Sequence, residues 1–239
     1  MERIDKILAH MGLGTRSEIK KYLKKGVLKV NGKVISDAAY KVNPEIDEII
    51  FNEKPLKYRK YIYIMLNKPA GVVSATEDGR ERTVIDLLDF SYRHFELFPM
   101  GRLDKDTEGL LIITNDGKFA HDVLSPKKHV PKKYFVKIEG FLDKEDVLAF
   151  NKGIVLDDGY RTLPAKLHIL QSGDFSEAEV IIKEGKFHQI KRMFTALGKE
   201  VVYLKRIAMG GLYLDDRLKP GDYREITEQE KELILLKEE

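Results

Sequence analysis

The sequence predicts an α+β protein in two parts: a small, basic N-terminal α+β module, then a larger body with a mostly antiparallel or mixed sheet flanked by helices. Three observations lead there. The front of the chain carries helical spacing followed by a hairpin signal. Downstream, strand-like and helix-like segments are intermixed without a regular βαβ repeat. No strand-like segment is followed by the glycine-rich patterns GxGxxG, GxxxxGKS or GxxxxGKT that cradle nucleotide phosphates, so a bound nucleotide cofactor is not expected.

Taken in order, Ile4, Ile7, Leu8 and Met11 recur at helical spacing, and Gly12 and Gly14 interrupt them. Thr15 followed by Glu18 forms a capping box for a second helix holding Ile19, Tyr22 and Leu23, which Gly26 ends. VLKVNGKVI then alternates around Asn31-Gly32, a hairpin signature. A linker is expected near residues 55–60, giving domains of 1–56 and 57–239. The apolar, β-rich run in YIYIMLNKPAGVVSA reads as a buried strand closed by Pro69 and Gly71. Beyond it the pattern predicts a strand at 110–114, a turn at Asp116-Gly117 and a helix through 118–124. A strand at 133–139, a helix at 143–151, strands at 163–170 and 177–183, a helix at 187–197 and a strand at 200–208 follow, with a short helix after Thr227.

Composition narrows the chemistry. At 239 residues, 43% hydrophobic and 34% charged, the chain is that of an ordinary soluble protein with a densely charged surface. It has no cysteine, which excludes disulfides, thiolate-bound metal and a thiol nucleophile. MERIDKILAHMG alternates charged with apolar residues and lacks the long apolar run of a signal peptide or membrane span, so a cytoplasmic location is expected. The net charge of +3 is unevenly spread: residues 1–60 hold 14 Lys and Arg against 8 Asp and Glu, and the remainder 28 against 31. A basic module on a near-neutral body fits an appendage that tracks the phosphates of RNA. Arg3, Lys6, Arg16, Lys20, Lys21, Lys24 and Lys25 would decorate its two helices.

The densest group of reactive side chains is GRLDKDTEGLLIITNDG, residues 101–117, where Arg102, Asp104 and Asp106 lie in a turn before an apolar strand. One aspartate among 39 acidic residues is, by itself, ordinary surface decoration. Asp104-Lys105-Asp106 could also be read as a divalent-metal site, but it lacks a convincing third ligand and a cradle for nucleotide phosphates. No metal is expected.

RIDKILA, TRSEIKKYLKKG and VLKVNGKVI make residues 1 to about 48 resemble the S-four-like RNA-binding domain. MLNKPAGVVSA, GRLDKDTEGLLIITNDG, SPKKHVPKKYFV and EGKFHQIKRMFTALG make residues 61–210 resemble the pseudouridine synthases, in particular the RsuA-like branch that also carries an S-four-like domain. The resemblance implies a cofactor-free isomerisation of uridine to pseudouridine with Asp104 as its essential carboxylate. That group acts either as nucleophile or as base toward the ribose, and the sequence leaves the choice open. The resemblance also implies that Tyr134 packs against the target base and that Lys191 is the basic partner of Asp104, where many branches carry arginine. Arg192 is the reserve choice for that partner, His188 reads as a structural or RNA-contacting group, and Leu204 as an apolar wall. Arg102, Lys127, Lys128, Lys132, Lys133 and His129 would line the approach for RNA, with Arg80 and Arg82 as further candidates.

The expected substrate is ribosomal RNA or a pre-ribosomal particle, with the small-subunit 16S RNA favoured by KKHVPKKY and KFHQIKRMF, and the expected protein is a monomer with no membrane partner. A large-subunit 23S target is the alternative within the same chemistry. A non-catalytic RNA-binding assembly factor is the alternative outside it, and mere binding gives no reason to hold a carboxylate beside polyanionic RNA.

Overall fold

The structure is a computed structural model that describes residues 1–125 and 128–236. It divides into two compact units, one formed by Met1–Ile62 with Asp89–Glu96 and the other by Tyr63–Leu88 with Leu97–Glu239.

In the first unit, β1 (Glu2–Arg3) leads into α1 (Ile4–His10), and α2 (Arg16–Lys24) follows after the two glycines. The Thr15–Glu18 capping box is present in both directions, with the Thr15 hydroxyl accepting from the Glu18 amide and the Glu18 carboxylate accepting from the Thr15 amide. Ile4, Ile7, Leu8, Ile19 and Leu23 turn inward together with Leu28, Val30, Val42, Ile49 and Phe51. The strands behind them are β2 (Leu28–Val30), β3 (Lys33–Val34), β4 (Lys41–Val42), β5 (Ile49–Phe51) and β6 (Lys54–Pro55). β3-β2-β5-β6 form one antiparallel sheet, while β1 pairs with β4. Asn31 and Gly32 both have positive φ, 50° and 77°, the backbone of a type I′ turn between β2 and β3.

The second unit is organised by one large sheet. Its strands are β7 (Tyr63–Lys68), β8 (Phe98–Met100), β9 (Glu108–Thr114), β10 (Lys132–Glu139), β11 (Lys166–Gln171), β12 (Phe175–Ile182), β13 (Glu200–Met209), β14 (Leu212–Tyr213) and β15 (Tyr223–Glu225). The spatial order is β11-β12-β10-β13-β9-β7-β15, with β14 beside β13 and β8 beside β9. Every pairing is antiparallel except β13 with β9, so the mostly antiparallel sheet read from the sequence is what forms.

The helices are α3 (Gly117–Leu124), α4 (Lys144–Lys152), α5 (Gln189–Thr195) and α6 (Glu228–Ile234). Asp116, expected in a turn, instead caps α3: its carboxylate accepts from the Phe119 amide at 3.0 Å and from the Tyr63 hydroxyl at 2.6 Å. Tyr63, Met65, Met100, Leu110, Ile112, Phe119, Val123 and Met209 are among the residues that build the core on that side of the sheet. Among the described residues no helix is long and apolar enough to cross a membrane.

The parallel seam depends on Gly109. Its φ is +100°, and a Cβ there would lie 2.2 Å from the Arg206 carbonyl oxygen and 2.9 Å from the Arg206 amide nitrogen, both backbone atoms that cannot step aside. Gly109→Ala should therefore lower stability by more than about 2 kcal/mol, read as a shift of the urea midpoint. A midpoint equal to that of the unaltered chain would contradict the close approach.

Candidate active site

The turn that carries Asp104 joins β8 to β9, two strands already paired to each other, so both of its ends are fixed by the sheet. Its middle is fixed from below. The Ser74 hydroxyl donates to the Leu103 carbonyl at 2.9 Å and accepts from the Leu103 amide at 3.1 Å. The Gly71 amide donates to the Lys105 carbonyl at 2.8 Å. Lys68, at the end of β7, is fully buried, and its ammonium donates to the carbonyls of Pro69 (3.0 Å), Lys105 (3.2 Å) and Thr107 (2.9 Å). Burial pulls the Lys68 amine down to about 8, against the opposing pull of the Asp106, Asp104 and Glu108 carboxylates.

Lys68 and Ser74 were not singled out from the sequence. The signal for Lys68 was a charged residue closing a strand whose six residues are all buried, but burial on both sides of a strand shows only once its neighbours in the sheet are known.

Above this support, Asp104 lines a cleft that is open to solvent. Tyr134 from β10, Ile182 from β12 and Leu204 from β13 form its apolar wall, on one face of the sheet. Arg102, Thr107, Lys186 and His188 add polar groups. The Asp104 side chain is 29% exposed, with His188 Nε2 at 3.6 Å from one carboxylate oxygen and Lys191 Nζ at 3.8 Å from the other. His188 reaches in because its backbone is left-handed (φ 49°, ψ 32°), a conformation that a non-glycine residue holds at some energetic cost.

The loop entering α5 is itself anchored. Buried Glu184 accepts from the Gln189 side-chain amide (2.9 Å), the Tyr160 hydroxyl (2.7 Å) and the Leu163 amide (2.8 Å), while Gln189 Oε1 accepts from the Lys186 amide (2.9 Å).

Several expected residues stand differently from the sequence reading. Lys191 makes its short bonds to Asp106, at 2.7 and 2.6 Å, and lies farther from Asp104, so it bridges two carboxylates rather than serving one. Burial would raise the Asp106 carboxyl, yet the hydrogen bonds and charge of Lys191 hold it below the usual carboxylate range. Arg192 is turned away from Asp104, with its guanidinium paired to Asp157 and to Asp158 (2.7 Å). Lys133 falls on the sheet face opposite Tyr134 by strand alternation and pairs with Glu179 at 2.8 Å, so it does not line the cleft. Lys132 shares the face of Tyr134 but is buried.

Arg102 is exposed and lines the cleft, Lys128, His129, Arg80 and Arg82 are exposed but do not line it, and Lys127 lies outside the described residues. In the first unit Lys6, Arg16, Lys20, Lys21, Lys24 and Lys25 are exposed, opposite the buried face of α1 and α2, while the Arg3 guanidinium is engaged with Asp5 at 2.7 Å. Among the described residues no group of three or more His, Asp or Glu side chains is placed to hold a metal ion.

The geometry is thus a carboxylate flanked by two basic side chains in a cleft with one apolar, aromatic wall. The family described as RNA pseudouridylate synthase matches residues 62–196, and the S4 domain family matches residues 2–47. An uncharacterized RNA pseudouridine synthase of Bacillus subtilis is 48% identical, covering 97% of this chain and 98% of its own length. Ribosomal small subunit pseudouridine synthase A of Haemophilus influenzae is 38% identical over 98% of this chain and 99% of its own. Ribosomal large subunit pseudouridine synthase B of Bacillus subtilis is 39% identical over 96% of this chain and 94% of its own. A crystal structure titled pseudouridylate synthase superposes with a TM-score of 0.69 at 36% identity, covering 98% of this chain and all of that one. With a family match over more than half its length and relatives of this similarity along nearly all of it, the chain belongs to the RNA pseudouridylate synthase family.

Proposed function

We propose that this chain converts a uridine of small-subunit ribosomal RNA to pseudouridine, acting as a monomer with Asp104 as the reacting carboxylate. The observation that carries the reading is Asp104 itself, held on a turn pinned by buried Lys68 and presented beside Tyr134 in the cleft. The relative named for the small subunit supports the target, as do KKHVPKKY and KFHQIKRMF. The relative named for the large subunit makes 23S RNA the second reading.

In the reaction the N1–C1′ bond breaks, the uracil turns, and a C5–C1′ bond forms. N1 gains a proton and C5 loses one, so no redox equivalent and no transferred group is needed from outside. A carboxylate can serve by adding to the ribose or by removing a ribose proton, and either course needs it ionised at the moment of reaction. Lys191 supplies positive potential beside one of its oxygens, which offsets its desolvation when the base fills the cleft, and His188 Nε2 stands beside the other. Tyr134 offers a ring to a uridine that has left its stack, a contact worth about 1–3 kcal/mol. The basic outer face of α1 and α2 supplies sequence-independent affinity for phosphate.

Pseudouridine mapping on both ribosomal RNAs, in cells lacking this protein and complemented with wild-type or Asp104→Asn chains, should show one small-subunit site restored by wild type alone. A site that returns with the Asn variant would sink the role of Asp104, and a site on the large-subunit RNA would move the target while leaving the chemistry. Lys191→Met should lower kcat by about 100-fold or more, as removal of a group that stabilises charge at the reacting centre does. Asp106→Asn, which leaves Lys191 with Asp104 as its nearest carboxylate, should change kcat by less than about tenfold; the reverse ranking would make Asp106 the partner that matters. Replacing Lys20, Lys21 and Lys24 with Glu should raise KM with little change in kcat and flatten the salt dependence of RNA binding, by a slope of up to about 0.7–0.9 per lost phosphate contact. An unchanged salt slope would remove this face from the interface.

A further inference from the structure

We infer that Phe187, stacked on His188 and set between two residues that line the cleft, is a platform for the unpaired nucleobase that flanks the extruded uridine. The inference rests on the enzymatic reading above and deepens it by assigning a binding site for a second base.

Phe187 is 75% exposed, an unusual position for a phenyl ring in a segment this well fixed. The segment is held on both sides, by Glu184 with its three donors and by the Gln189–Lys186 bond, so the exposure is not that of a slack loop. The ring lies nearly parallel to the His188 imidazole, with centroids 3.8 Å apart and planes 19° apart. His188 in turn places Nε2 3.6 Å from Asp104. One side chain therefore connects the reacting carboxylate to an exposed aromatic face. One face of Phe187 is occupied by the imidazole, and the largely exposed ring leaves room for a planar partner on the other.

A uridine turned out of its stack leaves its neighbours without partners, and an aromatic face recovers part of that loss for any base, because every base has a π-face. Basic groups needed to guide the backbone stand close by: Arg102 and Lys186 line the same cleft. The platform is distinct from Tyr134, which lies buried in the cleft wall and is assigned above to the target base.

The chain contains no tryptophan, so Phe187→Trp introduces a single indole whose emission reports what stacks on it. In an Asp104→Asn background, which keeps the substrate unconverted, transcribed small-subunit ribosomal RNA should quench that emission, and inorganic polyphosphate, an anion without bases, should not. In the otherwise wild-type chain, Phe187→Ala and Phe187→Leu should lower kcat/KM about tenfold, chiefly through KM, while Phe187→Tyr and Phe187→Trp stay near wild type. All four should keep the wild-type thermal midpoint, since the ring is exposed.

Emission unaltered by RNA, or equally altered by polyphosphate, overturns the platform. So does a Leu variant with wild-type kcat/KM. Should the wild-type chain form no pseudouridine at all, the enzymatic reading falls, and the emission measurement still decides whether a base stacks on residue 187.

Discussion

The buried ammonium of Lys68 is the constraint on which the site depends. It is fully buried, and its three acceptors are backbone carbonyls, two of them in the turn that presents Asp104. Carbonyl dipoles satisfy its donors without cancelling its charge, so the positive potential persists beneath a turn that carries two carboxylates. Removing an ammonium from water is expensive, and the pull of burial on its proton records that expense. The same burial fixes the geometry, because a donor with no alternative partner holds its acceptors in place. The turn is thereby pinned from below, the positioning that the proposed role of Asp104 calls for.

Around that support the charges are shared rather than paired one to one. Asp104 and Asp106 face Lys191, and Asp104 also faces His188. A lysine suits the arrangement: its compact point charge on a flexible stem can lie between two carboxylates, where a planar guanidinium would commit to one bidentate geometry. The neighbouring guanidinium of Arg192 does commit, to Asp157 and Asp158, and so withdraws from the cleft. Two adjacent basic residues in one helix thus take opposite duties, because successive residues of a helix point about 100° apart.

This division marks what a sequence can and cannot reveal. Local signals carried through intact: the capping box at Thr15, the helix after Thr227, the Asn31-Gly32 turn and the apolar alternation of the strands each depend on neighbours a few residues away. Asp104, Tyr134 and Leu204 were legible through motif resemblance, and the fold brings them to one cleft. What failed to show depends on distant partners. Lys133 was grouped with Tyr134 by adjacency, yet strand alternation sends adjacent side chains to opposite faces. The short strands β8, β14 and β15 run two or three residues and have no periodicity to detect. Lys68 was not singled out, because two of its acceptors come from a turn 37 and 39 residues further along the chain.

The position of Gly109 ties the sheet to the chemistry. β9 must start immediately after the turn that carries Asp104, and it is the strand that runs parallel to β13. A parallel neighbour sets the two chains in slanted register, so Glu108 stands beside Lys205 and Gly109 beside Arg206, while Leu204, one step earlier on β13, reaches the cleft wall. Any side chain at 109 would push β9 away from β13 and carry the turn with it. The distance between the Asp104 carboxylate and the apolar wall is therefore set by backbone contact, the stiffest element available, and the side chains that line the cleft adjust around it rather than define it.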